Sequence, residues 1–261
     1  MIDRAHGVEL GPLLETAREA GKRILGIYGK DFGVDYKEDR SPLTEADRAA
    51  NEVIMAFLGE SHPGIPVISE ENRETPYDER RDWTRFWLVD PLDGTKEFIR
   101  RNGEFTINVA LVEEGRPVLG IVFRPVTGTM HVGVAEGGAW RIDGDAEPEP
   151  IAGGPHYAGL DRVRVVASRS HLTPEVEAFV EGLRKQGKDV EFLSAGSSLK
   201  MCLVAEGSAD VYPRFGPTME WDTGAAHAVA VAAGKQVLNA ETRRPLVYNK
   251  ENLLNPFFIV E

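Results

Sequence analysis

Asp90 and Asp93 stand three residues apart in the stretch Trp87-Leu88-Val89-Asp90-Pro91-Leu92-Asp93-Gly94-Thr95-Lys96-Glu97-Phe98. The apolar residues ahead of them read as a buried strand that delivers Asp90 at its end. Pro91 stops the strand's ladder, and Gly94 lets the backbone turn closely around whatever sits there. On such a turn the two carboxylates can converge. Held close and unpaired they repel, and one stays protonated unless a cation lies between them. A hard divalent ion such as magnesium suits those oxygen ligands. The amides of Gly94 and Thr95 open a short helical segment over 96–100, and amides and dipole at a helix start suit a phosphate. By itself, D-x-x-D-G is more simply a polar strand-to-helix loop.

Composition bounds what such a site can serve. The chain has 261 residues, 42% apolar and 28% charged, enough for one large domain or two lobes with an ample core. No run is long enough to span a bilayer, and no basic-then-apolar leader, repeat or low-complexity segment is visible. The single cysteine, Cys202, excludes an internal disulfide framework and fits a reducing cytoplasm. It sits in an apolar helical pattern and reads as a small buried hydrophobe. A formal net charge of −12 argues against nucleic acid or an anionic membrane as the general partner. An anionic substrate then requires bound cations and a few basic side chains to reverse the field locally.

The elements that must position these acids follow from periodicity. Residues 8–28 repeat apolar side chains at helical spacing, and Gly29 and Lys30 end that helix. A second helix opens at Ser41-Pro42-Leu43-Thr44-Glu45-Ala46-Asp47, with Thr44 as N-cap and Asp47 at the third helical position. Capping alone accounts for Asp47. Residues 65–68 form a short buried strand ending in Ser69-Glu70-Glu71, and neighbouring strands can bring Glu70 to Asp90. Residues 72–85 read as a charged surface excursion. A β-meander occupies 105–142, and the Gly-, Pro- and acid-rich stretch 143–160 marks a lobe boundary, giving lobes 1–150 and 151–261. From 163 to 238 strand and helix patterns alternate, so the class is α/β. In Trp221-Asp222-Thr223-Gly224-Ala225-Ala226, Asp222 stands at the head of a small-residue helix that Gly234 stops, and as an N-cap it needs no further explanation.

Taken together, the Asp90–Phe98 string and the Trp221-Asp222 segment resemble the two signatures of the inositol monophosphatase superfamily, which comprises magnesium-dependent, lithium-sensitive phosphatases. The resemblance covers nearly the whole chain. One departure is the glycine of the second signature, which stands early, at Gly224. The resemblance implies an αβαβα sandwich with metals between the lobes. It implies that Glu70, Asp90, Asp93, Asp222 and the carbonyl of Leu92 hold two or three magnesium ions. Asp47 and Thr95 match the pair that orients and activates the attacking water. A single general base supplies only about 10²- to 10⁴-fold, so metal clamping must carry most of the acceleration.

Flanking residues bear on the substrate. Asp93-Gly94-Thr95-Lys96-Glu97-Phe98, Arg100-Arg101-Asn102-Gly103-Glu104-Phe105-Thr106, Ser168-Arg169-Ser170-His171, Gly196-Ser197-Ser198-Leu199-Lys200 and Tyr212-Pro213-Arg214-Phe215-Gly216 resemble the bacterial 3′(2′),5′-bisphosphate nucleotidase branch. A nucleotide with phosphates at both ends needs a second anion site away from the metals. Ser197, Lys200 and Arg214 offer hydroxyl, ammonium and guanidinium donors for it. Gly94, Thr95, Ser168 and Asp222 join the expected substrate contacts, with His171 stacking on or hydrogen-bonding the nucleotide. The expected reaction removes the 3′-phosphate of adenosine 3′,5′-bisphosphate, giving AMP; the sulfated precursor is a further candidate, within sulfur metabolism. An inositol or other sugar monophosphatase is the alternative enzyme, and a non-catalytic nucleotide- or lithium-responsive sensor is the alternative outside catalysis. Some bacterial relatives lie at the inner face of the membrane, although nothing in the chain encodes an anchor.

Overall fold

The computed structural model describes residues 2–30, 33–36, 42–72, 75–167 and 173–261. A small hairpin, β1 (Arg4–Ala5) with β2 (Val8–Glu9), leads into α1 (Leu10–Tyr28), whose Leu10, Leu13, Leu14, Ala17, Ala20 and Ile24 form the buried stripe that the periodicity predicts. A second hairpin, β3 (Val34–Tyr36) with β4 (Pro42–Thr44), precedes α2 (Glu45–Ser61).

The main sheet comprises β5 (Val67–Ser69), β6 (Arg85–Asp93), β7 (Thr106–Glu113), β8 (Arg116–Arg124), β9 (Thr129–Val134), β10 (Gly138–Asp143) and β11 (Glu149–Ile151). Its order among the described residues is β11-β10-β9-β8-β7-β6-β5, with only the β5–β6 pair parallel. Both faces are covered, which explains the near-continuous apolar runs. Trp87 and Val89 of β6 face a core shared with α1 and α2, whereas Phe86 and Leu88 face the opposite core.

Two short helices flank β6: α3 (Tyr77–Arg80) and α4 (Thr95–Ile99). The chain then builds β12 (Arg162–Ala167), α5 (Pro174–Lys185), β13 (Asp189–Ser194), α6 (Leu199–Ala205), β14 (Tyr212–Arg214), α7 (Glu220–Ala232), β15 (Val237–Asn239) and β16 (Phe258–Val260). β12 and β13 pair in parallel, β14-β16-β15 form an antiparallel sheet, and a parallel bridge from Val165 to Val211 links the two groups. Helices α6 and α7 lie between the main sheet and these strands, and α5 covers the far side with Val180 and Leu183 on Val163, Val165 and Ile259. The layers therefore run αβαβα.

Close packing of α7 explains the early glycine. A Cβ on Gly224 would stand 2.8 Å from Leu88 Cδ2, and Cβ atoms on Gly120 and Gly133 of the sheet would reach 2.1 Å from Ala225 O and 2.4 Å from Val229 Cα. Gly224 serves helix-on-sheet contact.

Three expectations change. The ladder does not stop at Pro91: β6 runs on to Asp93 through a bulge, Asp90 opposing Asn108 and Asp93 opposing Thr106. The excursion over 72–85 is not purely surface. Arg80 is buried, its guanidinium donating to Asn249 Oδ1 at 2.9 Å, Lys250 O at 2.7 Å and Glu251 O at 2.9 Å. Finally, α7 starts at Glu220, so Asp222 lies at its third position and not at the cap.

Two buried histidines give the fold a pH signature. Burial pushes His227, whose Nδ1 pairs with the Tyr248 hydroxyl at 2.9 Å, down to about 3. Burial alone would also lower His131, but Cys202 and Glu206, the latter at 2.9 Å, push it up to about 10. Below pH about 6.5 the unfolded chain binds a proton at position 227 that the folded chain refuses, so stability falls as pH drops from there towards 3. His131 acts in the other window, its contribution fading as pH rises from about 6.5 through 10. Urea unfolding at pH 7 and pH 5 is expected to show about 1–2 kcal/mol more acid loss for wild type than for His227→Gln. Equal losses would place a charged imidazole in the core.

Candidate active site

The bulge in β6 decides where the central acids point. Side chains alternate across a strand, so residues three apart in a regular ladder face opposite sides. The extra residue at Pro91-Leu92 reverses that parity and turns Asp90 and Asp93 toward one side. Beside them, β5 pairs with β6 in parallel, Ser69 opposite Val89, and Glu70 N donates to Val89 O at 3.1 Å. Glu70, just past the end of β5, and Asp90 on β6 thus lie next to each other. Asp222 arrives from α7, where its Oδ2 accepts from Met219 N at 2.9 Å.

Carboxylate oxygens of Glu70, Asp90 and Asp222 all lie within 4.8 Å of one another. Asp90 is buried; its Oδ1 accepts from Leu92 N at 3.0 Å, while its Oδ2 is buried with no hydrogen-bond partner. Burial, then the carboxylates of Glu70, Asp93 and Asp222, hold Asp90 well above the usual carboxylate range. Burial and the carboxylates of Asp93 and Glu70 do the same to Asp222. An orphaned buried oxygen among converging hard donors fits a divalent cation such as magnesium, whose charge reverses this repulsion.

Asp93 stands beside the trio, close enough to shift both Asp90 and Asp222, but its Oδ2 is engaged elsewhere. It accepts from Ser197 Oγ at 2.6 Å and Ser198 N at 2.7 Å, with Asn108 Nδ2 at 3.4 Å. Asp47 performs two tasks. Its Oδ2 accepts from Thr44 N at 2.8 Å and Thr44 Oγ1 at 2.6 Å, and its Oδ1 accepts from Thr95 Oγ1 at 3.3 Å. The same hydroxyl lies 3.4 Å from Leu92 O, so Thr95 joins the buried cap of α2 to the carbonyl expected to bind metal. Gly94 precedes α4 with φ +92°, a left-handed turn that glycine adopts without strain.

A cleft of about 390 Å³ adjoins these acids, with Asp93, Gly94, Ser197, Lys200, Arg214 and Asp222 on its wall. Lys200 is nearly buried and donates to Ser197 O at 2.7 Å. Burial brings its ammonium down to about 8, against the opposing pull of Asp93. Arg214 donates to Pro217 O at 3.0 Å, and its Nε is buried without a partner. Ser168 and His171 lie outside the described residues. Residues that were given no role from sequence include Thr106, Asn108 and Ser198, all buried behind Asp93. The signal for the first two was present: polar residues at a spacing of two in an otherwise apolar strand. Glu220 was missed as well; fully buried, it accepts from Asn249 N at 2.7 Å and Lys250 N at 3.0 Å, bracing the end of α7 that carries Asp222.

Converging hard oxygen ligands next to a cleft with two basic side chains define a site for a divalent cation together with an anionic ligand. The chain belongs to the inositol monophosphatase family, whose pattern it matches over residues 10–256. It is 45% identical over 263 residues to the 3′(2′),5′-bisphosphate nucleotidase CysQ of Escherichia coli K12, covering 96% of this chain and 98% of that one. The crystal structure of CysQ from Bacteroides thetaiotaomicron superposes with a TM-score of 0.84 at 48% identity, over 97% of each chain. An inositol monophosphatase of Thermotoga maritima shares the fold at 21% identity, TM-score 0.75, over 97% of this chain and 91% of that one. None of the described helices is long and apolar enough to cross a membrane.

Proposed function

We propose that this chain is a magnesium-dependent, lithium-sensitive phosphatase that removes the 3′-phosphate of adenosine 3′,5′-bisphosphate, giving AMP and phosphate, with the sulfated precursor as a second substrate. Such an activity disposes of the nucleotide left by sulfate transfer. The observation that carries the reading is the pairing of Lys200 and Arg214 with the acidic cluster around one cleft. An ester with one phosphate has no use for a second cationic pair; a bisphosphate does.

In this reading the cleft lies between an N-terminal lobe, residues 1–150, and a C-terminal lobe, 151–261. Glu70, Asp90, Asp93, Asp222 and Leu92 O hold the magnesium, two or three ions by family likeness. When bound, the metal supplies Lewis-acid neutralisation of the phosphoryl oxygens and lowers the pKa of a ligated water. Thr95 donates to Asp47, which leaves its oxygen lone pairs to accept from the attacking water and aim it in line. Asp47 keeps Thr95 in that orientation because the cap of α2 fixes the carboxylate. Gly94 brings the backbone close to the scissile phosphate. Lys200 and Arg214 take the 5′-phosphate, and family likeness assigns Ser168 and His171 to the rest of the nucleotide.

The test is phosphate release with magnesium from adenosine 3′,5′-bisphosphate and from inositol 1-phosphate. Two charge-assisted hydrogen bonds at about 1.5–3 kcal/mol each predict a preference for the bisphosphate of about 10²- to 10⁴-fold in kcat/KM. Equal rates would identify a general monophosphatase. Nucleotide binding without phosphate release would identify a sensor.

A further inference from the structure

The hydroxyl cluster behind Asp93 is built to a closer tolerance than a surface contact needs. Ser197 Oγ donates to Asp93 Oδ2 at 2.6 Å, and Ser198 N donates to the same oxygen at 2.7 Å. Thr106 Oγ1 lies 2.5 Å from Ser197 Oγ and 2.8 Å from Ser198 Oγ. Ser198 Oγ donates onward to Asn108 Oδ1 at 2.8 Å. Thr106 and Asn108 are fully buried on β7, and Ser198 is 3% exposed. Ser197 itself has φ +52°, a left-handed backbone that a serine adopts only when its surroundings impose it. A Cβ on the neighbouring Gly196 would come within 2.7 Å of Glu104 O, so this turn is pressed against the segment that follows α4.

Counting protons gives the cluster a direction. Ser197 spends its hydroxyl proton on Asp93, and Ser198 spends its own on Asn108. Thr106 has a single proton for the two serine oxygens, so it is the shared donor that faces both. Removing it leaves those serine oxygens without their donor and frees Ser197 to rotate. The chain of contacts joins residues distant in sequence: Thr106 and Asn108 on β7, Asp93 at the end of β6, and the turn ahead of α6.

We propose that Thr106, Ser197 and Ser198 are positioning residues for the divalent cation, acting through Asp93. Ser197 Oγ and Ser198 N occupy Oδ2, Thr106 holds both serines from behind, and the carboxylate is thereby kept in one orientation beside the Glu70, Asp90 and Asp222 cluster. Ser197 thereby serves the cation before it serves the substrate. This inference rests on the metal-site reading above. Groups that orient a metal ligand are worth about 10- to 100-fold in metal affinity.

The experiment is Mn²⁺ titration of the full chain, followed by calorimetry and by the electron paramagnetic resonance signal of free Mn²⁺, without substrate. Thr106→Val, which keeps the shape and removes the hydroxyl, is expected to weaken Mn²⁺ binding about 10-fold or more. Thr106→Ser restores it. Ser197→Ala, at a half-buried position, weakens it similarly and carries the test if Thr106→Val fails to fold. In phosphate-release assays, excess magnesium returns kcat of these variants toward wild type. Asp93→Asn separates the two readings. If Asp93→Asn weakens Mn²⁺ binding but Ser197→Ala and a folded Thr106→Val do not, the positioning role is overturned and the metal site stands. If Asp93→Asn binds Mn²⁺ like wild type, both are overturned.

Discussion

Asp90→Asn releases phosphate at no more than about a thousandth of the wild-type rate, yet melts at a higher temperature than wild type in chelator. The two effects share one cause. Asp90 is buried among Glu70, Asp93 and Asp222, and its Oδ2 has no hydrogen-bond partner. Without a cation the fourth carboxylate is a liability to the fold; it either stays ionised against its neighbours or takes up a proton at a free-energy cost. An amide avoids both, and its oxygen can still accept from Leu92 N. With a cation the sign reverses, because the carboxylate becomes a ligand that an amide replaces poorly. Losing about 4 kcal/mol of charge stabilisation in the transition state corresponds to about 10³ in rate. Magnesium at 100 times its Kd adds about 2.7 kcal/mol to the wild-type fold by linkage, and much less to the mutant. Melting curves with chelator and with magnesium, alongside phosphate release, check this. A wild-type melting temperature indifferent to magnesium, or a mutant of normal rate, would remove the cluster from the chemistry.

Lys200→Ala and Arg214→Ala each lower kcat/KM for adenosine 3′,5′-bisphosphate by about 10- to 100-fold, corresponding to one charge-assisted hydrogen bond apiece, while barely changing inositol 1-phosphate. Lys200 also predicts the pH profile. Its ammonium titrates near pH 8 in the free protein, because burial outweighs the attraction of Asp93. Below that pH the cation is present to meet a phosphate; above it the charge is lost, so kcat/KM for the bisphosphate falls from about pH 8 upward. The fall disappears in Lys200→Ala. The fold responds in the opposite sense, since burying an ammonium costs stability at low pH and that cost lifts as pH rises through 8. Profiles measured on both substrates decide the matter: a decline of equal size with inositol 1-phosphate would assign the titration to the reaction centre.

What was legible before any coordinates were strongly local signals. The stripe of α1, the capping box at Thr44 and Asp47, the strands of the β-meander, and the order of the acids are set by nearest neighbours and by period. The αβαβα layering and the family were legible too, because long motifs carry more information than single residues. Asp47 shows the limit of local reasoning. Its neighbours in the chain explained it only as a cap; the family resemblance paired it with Thr95, and the structure shows its second oxygen accepting from that hydroxyl.

Other features depended on contacts that sequence distance conceals. Arg80 looked like one more surface charge until residues 249–251 closed over it. β16 was not foreseen, because its three residues signal little until β14 and β15 flank them. Pro91 read as the end of a strand, a fair inference from its missing donor. It became a bulge because Asp93 could still pair with Thr106 beyond it. The types of the clustered acidic residues were thus written in the chain. Their convergence was decided by the bulge that turns Asp93, the parallel pairing that sets Glu70 beside Asp90, and the glycines that let α7 bring Asp222 against the sheet. A side chain's chemistry belongs to the residue, whereas its distance from another carboxylate depends on the backbones packed between them.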